Sequence, residues 1–323
     1  MKKKILILSL ILIFSVLAGC TDSQLDEEDE DTPLYRSDGS YKVDIPIGGS
    51  LQNPAFSPDG NSIVFTRFRN GYNEEPADIF IFNLEDKNLD TLVMNGNCNV
   101  NLPGACWNSV NNNIAFSSSR DPHDEIFMIS ENGKNGDEIQ LTDRRSFMAY
   151  EPSFSPDGQW IVFESHPVDV EEEGVIMRHR IDESITYQAL TDASDDCRQP
   201  NWSPANNYIL FQKLENQNWD IWIMNIDGNN KEKVTTSIGD DTDACFTNDG
   251  NFIIFSADGD LQFANIYQIP VSGGTPIRLT NYNDGYDGAP SISADGTKLA
   301  FESCEGNPDD SDGTSIWILN IKG

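Results

Sequence analysis

The chain has 323 residues, of which 38% are hydrophobic and 10% aromatic. That is enough apolar surface to fill a sizeable core, which excludes an intrinsically disordered protein. Asp and Glu number 53 against 21 Lys and Arg, a formal net charge of -32. So negative a surface repels phosphate backbones and anionic lipid, which excludes nucleic acid as a partner and leaves cations, neutral sugars, peptides and other proteins.

At the start of the chain, Lys2, Lys3 and Lys4 precede an apolar run from Ile5 to Leu17 and the small residues Ala18 and Gly19 before Cys20. The pattern reads as an export signal, because the run is short for a bilayer and no stop-transfer pattern follows. It resembles a bacterial lipoprotein signal whose lipobox is Leu17, Ala18, Gly19 and Cys20. That resemblance implies cleavage after residue 19, lipid attachment at Cys20 and anchoring to a membrane through that lipid. Between Asp22 and Asp31 stand seven acidic residues and almost nothing to pack, which predicts a solvated, self-repelling tether over residues 20–40. Thr21, where an inner-membrane retention signal would place Asp, implies an outer-membrane lipoprotein, periplasmic or surface-facing. The acids after it are similar to the surface-export signals of some Bacteroidota, or serve only as a spacer.

Internal repetition organises the remainder. FSPDG at Phe56 to Gly60 recurs at Phe154 to Gly158, with degenerate copies starting at Trp107, Trp202, Phe246 and Ile292, about 44–51 residues apart. Each copy is followed by a short apolar strand, in order IVF, IAF, IVF, ILF, IIF and LAF. A third strand comes next, beginning near Asp78, Glu125, Gly174, Asp220, Asn265 and Ser315. Five units end in a fourth strand; the sixth stops without one. Short β-branched and aromatic strands separated by Asp-Gly and Gly-Gly turns predict four-stranded antiparallel sheets, which bury their faces by packing against one another in a ring. YKVDIPI, Tyr41 to Ile47, is the candidate donor of the missing outer strand. The expected fold is therefore an all-β, six-bladed propeller over residues 41–323, its last blade closed by the N-terminal strand.

The FSPDG, IVF, DIFIF and LT series resembles the TolB-like beta-propeller repeat family over nearly all of the chain after the tether. The family's namesake carries an additional amino-terminal α/β domain, whereas about twenty residues separate Cys20 from the first strand here.

Asp59, Asp157, Asp249 and Asp295 lie in the repeated turns and read as turn formers rather than catalytic acids, with Phe56 and Phe154 plugging the core between blades. Three residues ahead of the inner-strand aromatic, Glu151, Gln199 and Asp243 are expected near the mouth of a central channel. The loops on that face are acidic, and Asp241, Asp243, Asp309, Asp310 and Asp312 are the candidate ligands for a divalent ion. Calcium suits such oxygen donors, although the run from Asn307 to Gly313 lacks the full calcium-loop spacing. His123 and His166 follow the second strands of neighbouring blades and can face one groove; with Glu151 and Asp243 they are the catalytic candidates. His179 completes no zinc motif with them. No GxSxG elbow is present.

Cys98 and Cys106 bracket a short loop and are the first disulfide candidate; Cys197, Cys245 and Cys304 offer one further pair and a leftover thiol. The leading expectation is a lipid-anchored extracytoplasmic propeller that binds or scaffolds an envelope protein, peptide or glycan. The alternative is a divalent-ion-assisted polysaccharide lyase or glycoside hydrolase.

Overall fold

A computed structural model describes residues 33–321 except 95, 97–99, 103–105, 121–122, 169, 171, 183–185 and 260. Cys20, the export signal, the tether as far as residue 32 and Cys98 lie outside the described residues.

Six four-stranded antiparallel sheets are present. Their inner strands are Ser50–Phe56, Val100–Asn101, Phe147–Phe154, Cys197–Trp202, Asp241–Phe246 and Gly285–Ile292, one for each of blades one to six. The second strands are Ser62–Phe68, Asn113–Ser118, Trp160–Pro167, Tyr208–Glu215, Phe252–Ala257 and Lys298–Glu305. In blade six the outer position belongs to Tyr41–Lys42, which pairs antiparallel with Ser315–Asn320 in the register Tyr41 to Ile318. The two ends of the ordered ring thus share one sheet, as the unpaired sixth unit predicted.

Strand alternation explains how the ring holds together. Successive side chains point to opposite faces of a blade, so one strand feeds two cores. In blade one, Ile63 and Phe65 pack against Ile316 and Ile318 of blade six, while Val64 packs against Ile114 and Phe116 of blade two. The same arrangement gives one hydrophobic cluster at each of the six blade junctions. Phe65, Phe116, Phe163, Phe211, Phe255 and Phe301, the phenylalanines of the six second strands, are all fully buried. Each contributes roughly 1.5–3 kcal/mol by leaving water. Phe56 and Phe154 belong to these junction cores too, as expected.

The FSPDG turns are held by their own side chains. Ser57 Oγ donates to Asp59 Oδ1 at 2.6 Å, the Asn61 amide donates to the same oxygen at 3.0 Å, and Gly60 takes a φ of +74°. Hydroxyl donors from Ser57, Ser155, Thr247 and Ser293 hold Asp59, Asp157, Asp249 and Asp295 below the ordinary carboxylate range. These four acids are turn formers. In the degenerate copy at Trp202, Asn206 takes the left-handed place of glycine with φ of +55°, and in the copy at Trp107 the left-handed residue is Asn112, one position later, with φ of +56°.

Upstream of Tyr41 the chain is already packed on blade six. Leu34 to Lys42 form a tight hairpin in which the Arg36 amide donates to Ser40 O at 2.8 Å and the Lys42 amide to Leu34 O at 3.0 Å. Ser40 is fully buried.

The disulfide expectation is corrected. Cys106, Cys197, Cys245 and Cys304 are free, buried thiols. Cys197, Cys245 and Cys304 sit in blades four, five and six, and Cys197 and Cys245 face different junction cores, so none staples another. Burial pushes the thiols of Cys197 and Cys245 up to about 12, which keeps them protonated and inert.

Candidate functional site

Five inner strands carry a bulge at the same place. Their registers shift between Gln52 and Ala55, Tyr150 and Ser153, Arg198 and Asn201, Thr242 and Cys245, and Gly288 and Ser291. Within each shift one residue is left-handed: Asn53, Glu151, Gln199, Asp243 and Ala289, with φ between +47° and +51°. Non-glycine residues seldom adopt this conformation, and a bulge re-aims the side chain that carries it. All five line one narrow space of about 30 Å³ in the central channel. At the other end Phe56, Trp107, Phe154, Trp202, Phe246 and Ile292 surround a wider space of about 270 Å³. The two spaces meet at Asn201 and Cys245, giving the channel a carboxylate end and an aromatic end.

At the carboxylate end, Gln199 and Asp243 bind each other reciprocally. Gln199 Nε2 donates to Asp243 Oδ1 at 2.9 Å, and the Asp243 amide donates to Gln199 Oε1 at 3.0 Å. Two further carboxylates stand behind them. Glu164 accepts the Gln199 amide at 2.8 Å, and Glu302 accepts the Asn53 amide at 2.9 Å and the Tyr72 hydroxyl at 3.3 Å. Both are buried. Burial, reinforced by Asp243, moves Glu302 up to about 8. Burial, with Glu164 and Asp243 nearby, lifts Glu151 well above the carboxylate range. Near neutral pH Glu302 therefore keeps a proton and can donate as well as accept. Tyr72 and Tyr286, ring centroids 6.4 Å apart, are raised mainly by burial and also by Glu302. To the channel itself this end presents the Asp243 carboxyl, the Glu151 carboxyl and the carboxamides of Asn53 and Gln199, a set suited to hydrogen-bonding groups.

The catalytic candidates meet only in part. Glu151 and Asp243 share the channel. His166 is buried and its Nε2 contacts Glu164 Oε1, while Tyr150 packs edge-on against its ring at 5.8 Å. Tyr150 also donates to Asp124 Oδ2 at 3.1 Å, which brings the loop carrying His123 to the same region without a bond between the two histidines. His179 is buried elsewhere in blade three, 5.3 Å from the Tyr187 ring.

The candidate calcium ligands occupy three different surroundings. Asp243 lies on the channel, Asp241 is buried where its neighbours include Asp220 and Asp258, and Asp309, Asp310 and Asp312 are exposed on the loop before the last strand. Among the described residues no group of three or more His, Cys, Asp or Glu is placed to hold a metal ion. Acids on the loop entering the inner strand of blade four are paired with neighbouring cations, Asp195 with Lys213 at 2.9 Å and Asp196 with Arg198 at 3.1 Å.

Sequence reasoning missed Glu164 and Glu302. Their signal was a shared Phe-Glu-Ser at 163–165 and 301–303, in units three apart. It also missed Asn53, the counterpart of Glu151 in the first unit, which likewise precedes a proline.

A six-bladed propeller with a bulge-lined polar channel is thus the class of protein defined by fold and site. The chain belongs to the TolB beta propeller domain family, whose profile matches residues 39–217 and 172–315. It is 25% identical over 209 residues to the Tol-Pal system protein TolB of Francisella tularensis subsp. holarctica; the match covers 62% of this chain and 46% of the relative, so the chain spans about half of that protein's length. Among solved structures it is similar to the putative TolB of Agrobacterium tumefaciens, with TM-score 0.59 and 17% identity over 84% of this chain and 91% of that one. It is similar as well to an oligogalacturonate lyase of Vibrio parahaemolyticus, with TM-score 0.56 and 11% identity over 90% and 96% of the two chains. At these identities the structural likenesses show a common fold.

Proposed function

We propose that this protein is a Cys20-lipidated, extracytoplasmic propeller that binds a partner protein or peptide in the cell envelope through the carboxylate end of its channel. The observation that carries the reading is the convergence of five left-handed bulge residues, Asn53, Glu151, Gln199, Asp243 and Ala289, on one polar space. Strained backbone in register across five blades builds a surface for recognition more readily than it adds stability. The relative of Francisella tularensis, a protein of the Tol-Pal system by name, supports a protein as the partner class.

A photo-crosslinking residue in place of Gln199, in the full chain expressed in its membrane, tests the proposal. A single envelope protein should be trapped, and Glu151→Gln with Asp243→Asn should abolish the adduct. Trapping of glycan alone would move the partner to that class, and an adduct indifferent to both substitutions would remove the channel from the reading. Intact mass of the mature chain tests the anchor separately: a lipid-sized increment should be present and should vanish with Cys20→Ser.

A further inference from the structure

Arg36 is held in a seat built for a guanidinium. Its Cζ lies 3.7 Å from the centre of the Tyr282 ring and 3.8 Å from that of Trp317, so the planar head is clasped between two aromatic faces. Nη1 donates to Asp287 Oδ1 at 2.8 Å, and Nη2 to Ser303 Oγ at 2.6 Å. Asp287 is fully buried, and its second oxygen, Oδ2, has no hydrogen-bond partner among the described residues. The acceptor side of the seat therefore exceeds what Arg36 uses.

The seat opens into a cleft of about 680 Å³ whose wall carries Glu305, Asp310 and Asp312. Leu34 and Tyr35, at its edge, are 63% and 61% exposed. Arg36 enters on a short hairpin rather than on a blade strand, and beyond the Arg36 head the hairpin tip is tied to the ring by Asp38, which accepts the Asn281 amide at 3.0 Å.

We propose that this cleft is a receptor for arginine side chains and that Arg36 is its resident occupant, which an arginine-bearing extended segment of a partner protein replaces. Charge complementarity selects that partner. The two rings and the buried carboxylate suit a flat, weakly hydrated cation, and the cleft acids suit further basic residues along the same segment. Arg36 competes at the high local concentration of a tethered group, so displacement requires a multiply basic segment or release of the hairpin. The site stands apart from the channel and does not depend on the reading given to it.

The test uses the full chain and an acetylated, amidated Tyr-Arg-Ser peptide, with Tyr-Lys-Ser as comparator, followed by titration calorimetry. Arg36→Ala should bind the arginine peptide at least tenfold more tightly than the unaltered protein and at least tenfold more tightly than it binds the lysine peptide. Adding Asp287→Asn should remove at least tenfold of that affinity. A folded Arg36→Ala protein that binds neither peptide, or binding indifferent to Asp287→Asn, would overturn the proposal and leave Arg36 a structural clamp. Should Arg36→Ala not fold, hydrogen exchange on the unaltered protein decides. Excess tetra-arginine should speed exchange of the Arg36 and Lys42 amides at least threefold while tetra-lysine does not; unchanged exchange overturns the proposal.

Discussion

Glu164 and Glu302 occupy the same position in the second strands of blades three and six, and each accepts the amide of the left-handed residue that opens the next blade. The partners are Gln199 at 2.8 Å and Asn53 at 2.9 Å. In a ring of six, blades three and six are opposite one another, so the channel end is braced across its diameter by two carboxylates serving the backbone. Such a bond satisfies a donor that the bulge removes from the ladder.

The raised carboxyl of Glu302 makes stability depend on pH. The folded protein holds this proton up to about 8, whereas the unfolded chain releases it near the ordinary value of 4.5. The contribution of Glu302 is therefore fully present below about 4.5 and is lost as pH climbs to about 8. Glu302→Gln should match the unaltered protein near pH 4.5 and exceed it at pH 9 by on the order of 3 kcal/mol. Urea unfolding at the two pH values measures this; equal stabilities at pH 9 would contradict it.

Asp241 behaves similarly over a lower window. Burial moves its carboxyl from 3.8 to about 6, against opposing contributions from the nearby hydroxyls of Ser237 and Thr235. The raised value means that stability is lost between those two pH values. Asp241→Asn should be neutral at pH 3.5 and stabilising by about 2 kcal/mol at pH 7, read from thermal melting.

Arg36 and Asp287 form a buried pair joining the hairpin to blade six. Removing one partner strands the other, which costs about 3 kcal/mol, while removing both spares that penalty. Arg36→Ala and Asp287→Ala should thus be strongly non-additive in a double-mutant cycle of denaturant midpoints. Additive losses would mean that the two groups do not share one interaction.

Two equivalent turn glycines should differ in their tolerance of a methyl group. Gly60 and Gly158 are both left-handed, with φ of +74° and +67°. A Cβ on Gly60 meets nothing within 4 Å, but on Gly158 it would come within 2.6 Å of Asn108 Oδ1. Gly60→Ala should cost about 1 kcal/mol from backbone strain alone, and Gly158→Ala about 2 kcal/mol or more. Equal losses in urea midpoints would show that Asn108 swings aside freely.

Much of the fold was legible because propeller blades are built from local chemistry. The Ser-Pro-Asp-Gly turn at residues 57–60, the phenylalanine six residues after Asp59 or its counterpart and the apolar third strand recur at nearly constant intervals, and the shortage of one outer strand pointed to Tyr41. The channel was legible in part, since Glu151, Gln199 and Asp243 share a spacing from the inner aromatic residue. The cysteines misled because pairing in sequence counts thiols, whereas each blade buries its own.

The sequence by itself determined the number of blades, the turns, the closing strand and which residues fill the junctions, since these depend on contacts within one repeat and on its period. Only the tertiary structure decided which of the 53 acids meet. Ring closure carries Arg36 to Asp287, 251 residues away, and Asn53 to Glu302, 249 residues away. The physical reason is that a carboxylate's role depends on burial and on the partner that reaches it. Closure and the bulges set both, and neither leaves a local mark strong enough to read along the chain.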